Sequence, residues 1–250
     1  WQLLLHPRLP ASLNMAVDWW MLENLETPTL RFYRWSRPTV SIGYRQQQDP
    51  PNELKDLDLR TVDVVVRPTG GGFLYHDEDL SYSVVLPADH PLTSEGIRSS
   101  YETLCNPFLE GALEMGLLDE PDWGSNDRDV PNCLDAPASH EPTVEGTKWM
   151  ASAQVRSRRA LLQHGSLFWH DVWTEELSDS RPHFLAGNAA DTALSEYRDH
   201  VIDRLARHLF EDRTARTLTF SRKNWGEIRE HAEQFQVETT QDLPTFRRYD

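Results

Sequence analysis

Several short segments carry residue types able to do chemistry. In Arg67-Pro68-Thr69-Gly70-Gly71-Gly72, three consecutive glycines strip the side chains from a stretch of backbone. A ligand can then lie directly on the chain and accept hydrogen bonds from its N–H groups. Arg67, at the end of an apolar run, is placed to meet a phosphate or carboxylate with two parallel donors. No Gly-Lys-Ser/Thr follows, so the segment is not a P-loop. A plain turn between two strands accounts for the same residues. Downstream, Tyr75-His76-Asp77 offers His76 as a base or donor, or as a partly buried structural histidine.

Cys133 stands in Val130-Pro131-Asn132-Cys133-Leu134-Asp135, a polar, turn-like stretch with prolines on both sides. Such surroundings suit an accessible nucleophilic thiol. Cys105, on a helical pattern beside Leu104, suits a small buried hydrophobe. Lys148 follows the hairpin Gly146 and precedes Ala151, Ser152 and Ala153, whose small side chains leave room for a ligand. A solvent-facing lysine at a strand start is the other reading. His164 and Gly165, in Gln163-His164-Gly165-Ser166-Leu167, lie on the strand expected to pair with that of Lys148. There His164 either approaches a ligand or the thiol, or closes a hydrogen bond within the sheet.

These segments need elements to hold them. Leu13–Leu25 reads as an amphipathic helix with Ser12 as N-cap. Leu30–Trp35, Thr39–Gly43, Val62–Arg67, Phe73–His76 and Asp79–Leu86 read as strands, and Gln46–Leu59 as loop with a short turn. Ser94–Leu117 is the longest helical pattern, which Pro107 is expected to kink or interrupt. Asp119–Asn132 reads as an exposed acidic loop. Strands are expected at Thr143–Val144, Lys148–Arg156 and Ala160–Phe168, then helices over Leu194–Phe210 and Trp225–Phe235. Strands come first and helices later, joined by hairpins rather than regular βαβ units. The expected class is α+β: a mixed, largely antiparallel β-sheet flanked by helices, with residues 1–250 as one domain.

Composition excludes several classes. A net charge of −15 repels nucleic-acid phosphate, so no nucleic-acid role is expected. No apolar run approaches the roughly 20 residues that span a bilayer, and no membrane role is expected. The start, Trp1-Gln2-Leu3-Leu4-Leu5, lacks the basic region and long apolar core of a signal peptide, and lacks a Met, so a few residues are expected to be missing there. Two cysteines make neither a disulfide framework nor a zinc site, which favours a reducing cytoplasm. No metal site is expected. The cations are 22 Arg and 3 Lys, a bias read as genomic.

Taken in order, the segments resemble one family. Asn14-Met15-Ala16 with Asp18, Phe32-Tyr33-Arg34-Trp35, and Pro38-Thr39-Val40-Ser41-Ile42-Gly43-Tyr44 look like its opening blocks. Arg67-Pro68-Thr69-Gly70-Gly71-Gly72 with Tyr75-His76-Asp77 and Leu80-Ser81-Tyr82-Ser83 is the most specific. Lys148 with Ser152-Ala153-Gln154, then His164-Gly165-Ser166-Leu167, complete the pattern, which spans Asn14 to Phe168. This is similar to the biotin/lipoate A/B protein ligase family. The resemblance implies a fold like the catalytic domain of biotin protein ligase, with a tunnel for a medium-chain acyl group. Its substrate-binding residues would be Arg67, Gly70, Gly71, Gly72, Tyr75, His76, Ser152, Ala153, His164 and Gly165.

The resemblance also implies a choice of chemistry. Ligases of the family activate a free acid with ATP and Mg²⁺. Transferases take octanoate from acyl carrier protein and need no cofactor. One transferase branch carries a cysteine 15 positions before the lysine, as Cys133 stands before Lys148. That favours octanoyl transfer through a Cys133 thioester to a lysine of a lipoyl domain or glycine-cleavage H-type protein, Lys148 favouring the thiolate. The chain also ends before room for the extra C-terminal domain of many ligases. Ala138-Ser139-His140, Thr147 and Ala151 depart from the family's usual residues and bear on substrate choice. Because the family's carriers are acidic, Arg156, Arg158 and Arg159 are expected to form the carrier-docking patch on this acidic chain.

Overall fold

The computed structural model describes residues 1–77, 79–115, 122–123, 142–144, 147–167, 188–210 and 214–238. Its elements are β1 (Gln2–Leu9), α1 (Ala11–Asn24), β2 (Thr29–Trp35), β3 (Thr39–Gly43), β4 (Asp63–Arg67), β5 (Leu74–His76), β6 (Leu80–Pro87), α2 (Pro91–Ser94), α3 (Ile97–Glu114), β7 (Asp122–Trp123), β8 (Pro142–Val144), β9 (Thr147–Lys148), β10 (Met150–Arg156), β11 (Ala160–Leu167), α4 (Asn188–Leu209), β12 (Arg216–Thr217) and α5 (Arg222–Ala232). Short 3₁₀ turns cover Asn52–Asp56 and Glu233–Phe235.

A large sheet has the order β10-β11-β6-β2-β1-β12, and a second sheet the order β4-β3-β5. In the large sheet β10, β11, β6 and β2 are antiparallel neighbours, while β1 runs parallel to both β2 and β12. The sheet is therefore mixed, as expected, with α1 packed on one face and α3 on the other. No helix among the described residues is long and apolar enough to cross a membrane.

Three local expectations are corrected. Strand β1, absent from the sequence reading, makes a βαβ unit with α1 and β2 where only hairpins were expected. Its Leu run is broken by His6-Pro7, which blurs the period-2 signal, and the pairing with β2 shifts register between Leu5 and Arg8. Ser12 is not the cap of α1: the helix starts at Ala11, with Pro10 at the cap position. Pro107 does not interrupt α3, which is continuous from Ile97 to Glu114 with Leu104, Phe108 and Leu109 buried against the sheet.

Side-chain alternation divides the large sheet into two unlike faces. On the α3 side lie Leu30, Phe32, Leu80, Val84, Leu86, Leu161 and Leu167, all in one apolar cluster. On the α1 side, cross-strand register sets Arg31, Ser83, His164 and Ala153 in one row. Tyr33, Ser81, Ser166 and Ala151 form the next row. That face is polar where it lies beneath α1.

α1 is consequently not the amphipathic helix expected. Ten of its 14 residues are buried, including Asn14 and Asp18. These two, one turn apart, face Arg31, which has no exposed surface. Arg31 NH1 donates to Asp18 Oδ1 at 2.6 Å, and NH2 donates to Asn14 Oδ1 at 2.6 Å. Its Nε donates to His6 Nδ1 at 3.0 Å. Burial pushes the Asp18 carboxyl up, but Arg31, with His164 and Ser83, outweighs it and holds the group below the ordinary carboxylate range.

Two tests follow from this packing. At Gly43 an added Cβ would come within 2.1 Å of Gly71 O, a backbone atom held where Gly71 has φ of 92°. Gly43→Ala should lower stability by about 1–3 kcal/mol in urea unfolding. Gly70→Ala, whose Cβ meets only the Tyr44 ring at 3.6 Å, should stay close to the parent.

His6 is held down to about 3 by burial first and Arg31 second. A depressed histidine contributes fully above its unfolded value near 6.5, and loses that contribution as pH falls toward the folded value. The urea midpoint should therefore fall between pH 7.5 and pH 5. It should fall less in His6→Asn, whose amide oxygen still accepts from Arg31 but does not titrate. Equal falls would remove His6 from this account.

Candidate active site

A pocket lies where the small sheet meets the polar face of the large one. It holds about 370 Å³ of open space including its mouth, and Met15 of α1 closes one side. The large sheet supplies Tyr33, Trp35, Ala151–Ala153 and His164–Ser166; the small sheet supplies Ser41, Arg67, Leu74 and His76.

The first polar chain is set by the Arg31 row. His164 Nδ1 lies 2.9 Å from Asp18 Oδ2 and its Nε2 lies 2.7 Å from Thr69 Oγ1. Burial, aided by Arg67 and His76, lowers His164 despite Asp18. The ring is thus neutral at neutral pH. A carboxylate only accepts, so Nδ1 carries the proton and Nε2 accepts from Thr69. Ser83 Oγ donates to Asp18 Oδ1 at 2.8 Å and Tyr33 OH donates to Oδ2 at 3.3 Å.

The second chain lies nearer the pocket. His76 Nδ1 is 3.0 Å from Asp79 Oδ2, and His76 Nε2 is 2.8 Å from Ser41 Oγ. Trp35 stacks on the His76 ring with centroids 4.2 Å apart and donates Nε1–H to Ser81 Oγ at 2.9 Å. Burial pushes Asp79 up, yet the His76 ring and hydrogen bonds from His76, Ser166 and Ser81 hold it below the ordinary carboxylate range.

Arg67 joins both chains to the glycine loop. Its Nε donates to Thr69 Oγ1 at 3.1 Å, and NH1 donates to Ser41 O at 3.0 Å. NH2 donates to Gly70 O at 2.8 Å and to Gly72 O at 2.6 Å. Arg67 is 5% exposed and shapes the loop through these contacts. That corrects the expectation of a paired contact from Arg67 to a ligand anion. The arginine instead holds the main chain of the glycine loop.

Of the expected substrate residues, the pocket brings together Arg67, His76, Ser152, Ala153, His164 and Gly165. Gly70, Gly71 and Gly72 follow Arg67 without lining the pocket, and Tyr75 does not line it either, because alternation along β5 points it away from Leu74 and His76. Lys148 is 5% exposed, just ahead of the β10 wall. Cys133 lies outside the described residues, as does most of the acidic 119–132 stretch.

The docking patch is corrected in part. Arg156 is half-buried, its NH1 donating to Thr93 O at 2.8 Å and Glu95 O at 2.7 Å, and its NH2 to Ser100 Oγ at 2.6 Å. It ties β10 to the start of α3 and is no free surface cation. Arg158 and Arg159 are exposed on the β10–β11 turn, at the end of β10 away from Lys148.

Sequence reasoning had not assigned roles to Asp18, Arg31, Ser41, Thr69, Asp79 or Ser166. All but Arg31 and Asp79 stood inside the motifs quoted for the resemblance. Asp18, Arg31, Ser41 and Ser166 find partners on distant elements, which no local pattern marks, whereas Asp79 also meets His76 and Ser81 within three positions.

Comparison with known proteins agrees with this architecture. Residues 10–193 match the model of the lipoyl protein ligase A/B catalytic domain. The chain is 40% identical over 162 residues to the octanoyltransferase LipM of Moorella thermoacetica, covering 62% of this chain and 59% of that protein. It is 34% identical over 215 residues to the octanoyltransferase LipM of Brevibacillus brevis, covering 81% and 77%. The chain thus spans less than two thirds of the first relative's length. Among solved structures it resembles a lipoate-protein ligase A bound with ATP, at TM-score 0.75 and 24% identity over 97% of this chain and 98% of that one. A bi-partite lipoate protein ligase from Thermoplasma acidophilum gives TM-score 0.68 and 22% identity over 99% and 98%. At these identities the likeness is one of fold. With the catalytic-domain match spanning well over half of its residues, this chain belongs to the lipoyl protein ligase A/B catalytic domain family.

Proposed function

We propose that the chain is an acyltransferase of lipoate biosynthesis, acting as one catalytic unit over residues 1–250. It moves an octanoyl group from octanoyl-acyl carrier protein to a lysine of a lipoyl domain or glycine-cleavage H-type protein, in the cytoplasm. The observation that carries this reading is Lys148, buried at the threshold of the β10 pocket wall. Relatives of 34–40% identity that are named octanoyltransferases support it. The archaeal ligase of like fold was determined as part of a lipoylation system with an E2 lipoyl domain.

In this reading the Cys133 thiolate attacks the octanoyl thioester, and the carrier thiol leaves with a proton. The acceptor lysine then attacks the Cys133 thioester, and the thiol is regenerated as the amide forms. Thioester exchange is near neutral in free energy and amide formation runs downhill, so no ATP is needed. A free thiol titrates near about 8.5, so little is thiolate at neutral pH. A lysine cation beside it raises that fraction. Glycine-loop and β10 N–H groups are the candidate donors to the oxyanion.

Incubation with octanoyl-acyl carrier protein, without ATP, should add one octanoyl group to the intact mass. Hydroxylamine should remove it, and Cys133→Ser should lack it. Carrier modification only with ATP and free acid would replace this reading with an ATP-dependent ligase.

With Arg156 engaged, docking falls to Arg158 and Arg159. They lie on the turn beyond Arg156, itself about 10 Å along the strand from Ala153 at roughly 3.4 Å per residue. Reversing both to Glu should slow transfer from the acidic carrier several-fold, more so at low salt, with small octanoyl thioesters unaffected. An equal loss for both substrates would remove the turn from carrier recognition.

A further inference from the structure

The pocket contains a hydroxyl–imidazole–carboxylate chain to which the transfer reaction assigns no chemistry. Ser41 Oγ is 2.8 Å from His76 Nε2, and His76 Nδ1 is 3.0 Å from Asp79 Oδ2. These are the nucleophile-to-base and base-to-orienter contacts that acyl transfer through serine requires. All three are buried, Ser41 2%, His76 4% and Asp79 3% exposed; Ser41 and His76 line the pocket and Asp79 does not. Arg67 NH1 lies 3.3 Å from Ser41 Oγ, which sets a cation beside the oxygen that must lose its proton.

The other chain of this type provides an internal contrast. Thr69, His164 and Asp18 have the same contacts, at 2.7 Å and 2.9 Å. Neither Thr69 nor Asp18 lines the pocket, and Asp18 is already matched by Arg31 at 2.6 Å. That chain presents only its imidazole, His164, to the pocket. The Ser41 chain presents its hydroxyl as well as its imidazole there.

We propose that Ser41, His76 and Asp79 form a serine thioesterase centre that hydrolyses acyl thioesters in this pocket, independently of Cys133. Ser41 Oγ attacks the thioester carbonyl as His76 Nε2 takes its proton. The C–S bond breaks, and the thiol leaves with that proton. Water then attacks the Ser41 ester, gives its proton to Nε2, and releases the acid while the serine recovers its hydrogen. The net change is thioester plus water to acid plus thiol, with no redox partner. Asp79 accepts from Nδ1–H throughout and keeps Nε2 turned toward Ser41. Only the choice of an octanoyl probe rests on the transferase reading.

The full chain carrying Cys133→Ala would be incubated with octanoyl-N-acetylcysteamine, without acceptor or ATP, and free octanoate followed by mass spectrometry. Release above the buffer rate is expected. It should fall more than about tenfold on adding Ser41→Ala or Asp79→Asn. In the unsubstituted chain a fluorophosphonate probe should add one phosphonyl group, mapped by peptide mass to Ser41 and blocked by the octanoyl thioester. That readout needs no variant to fold. Release unchanged by Ser41→Ala, or phosphonylation that is absent or maps elsewhere, would overturn the proposal. The transferase reading fails separately, if the unsubstituted chain gains no octanoyl group at Cys133 while Ser41 is labelled.

Discussion

Asp18 has no exposed surface, and a carboxylate in that position persists in a folded chain only when its charge is met. Four donors meet it: Arg31 NH1, Ser83 Oγ, His164 Nδ1 and Tyr33 OH. They come from β2, β6 and β11, three adjacent strands of the large sheet, while Asp18 itself comes from α1. Taking both charges of the ion pair out of water costs several kcal/mol per ion, so it is poor as a source of net stability. Its effect is geometric. Only one placement of α1 over the sheet satisfies all four donors, and any slip leaves the buried Arg31 uncompensated. His164 is oriented by the same carboxylate, Thr69 by His164, and Arg67 meets Thr69. The glycine loop follows from that sequence of contacts.

The polar face of the large sheet is the second consequence. A buried sheet face is ordinarily apolar, as the α3 side is here. On the α1 side the polar residues pair across strands: Ser81 Oγ and Ser166 Oγ are 2.7 Å apart, and Trp35 Nε1–H reaches Ser81. Hydrogen bonds of this kind hold the side chains in one arrangement, and their fixed dipoles act strongly in a setting with little water, although Asp79 Oδ1 is left without a partner. The pocket lining combines apolar Met15, Trp35 and Leu74 with the hydroxyls and imidazoles of Ser41, Ser152, Ser166, His76 and His164, which suits a ligand with both apolar and polar parts.

Both histidine chains meet at Arg67, through Thr69 on one side and Ser41 on the other. One guanidinium therefore links the loop's main-chain shape to two imidazoles. Gly43 completes the arrangement by letting Gly71 O approach where no Cβ could fit. The proposed transfer between acidic carriers requires locally placed cations on a chain of net negative charge, and engagement of Arg156 inside the fold narrows where they stand.

By itself the sequence determined the pieces. Alternation marked β2 and β10, a β-branched run marked β4, and turns marked β3 and β11, each to within a residue or two. The glycine triplet marked the loop, and motif order marked the family. Tertiary structure alone decided which residues share the site. Asp18 and Arg31 are 13 positions apart and meet only because β2 returns beneath α1. Ser41 meets His76 because β3 and β5 pair antiparallel in a particular register. Arg156 read as a surface cation until its carbonyl partners at the start of α3 were in place. Local residue preferences encode period and turn, which are short-range. The site is made by cross-strand register and helix placement, and these are set by satisfying buried charges contributed by distant parts of the chain.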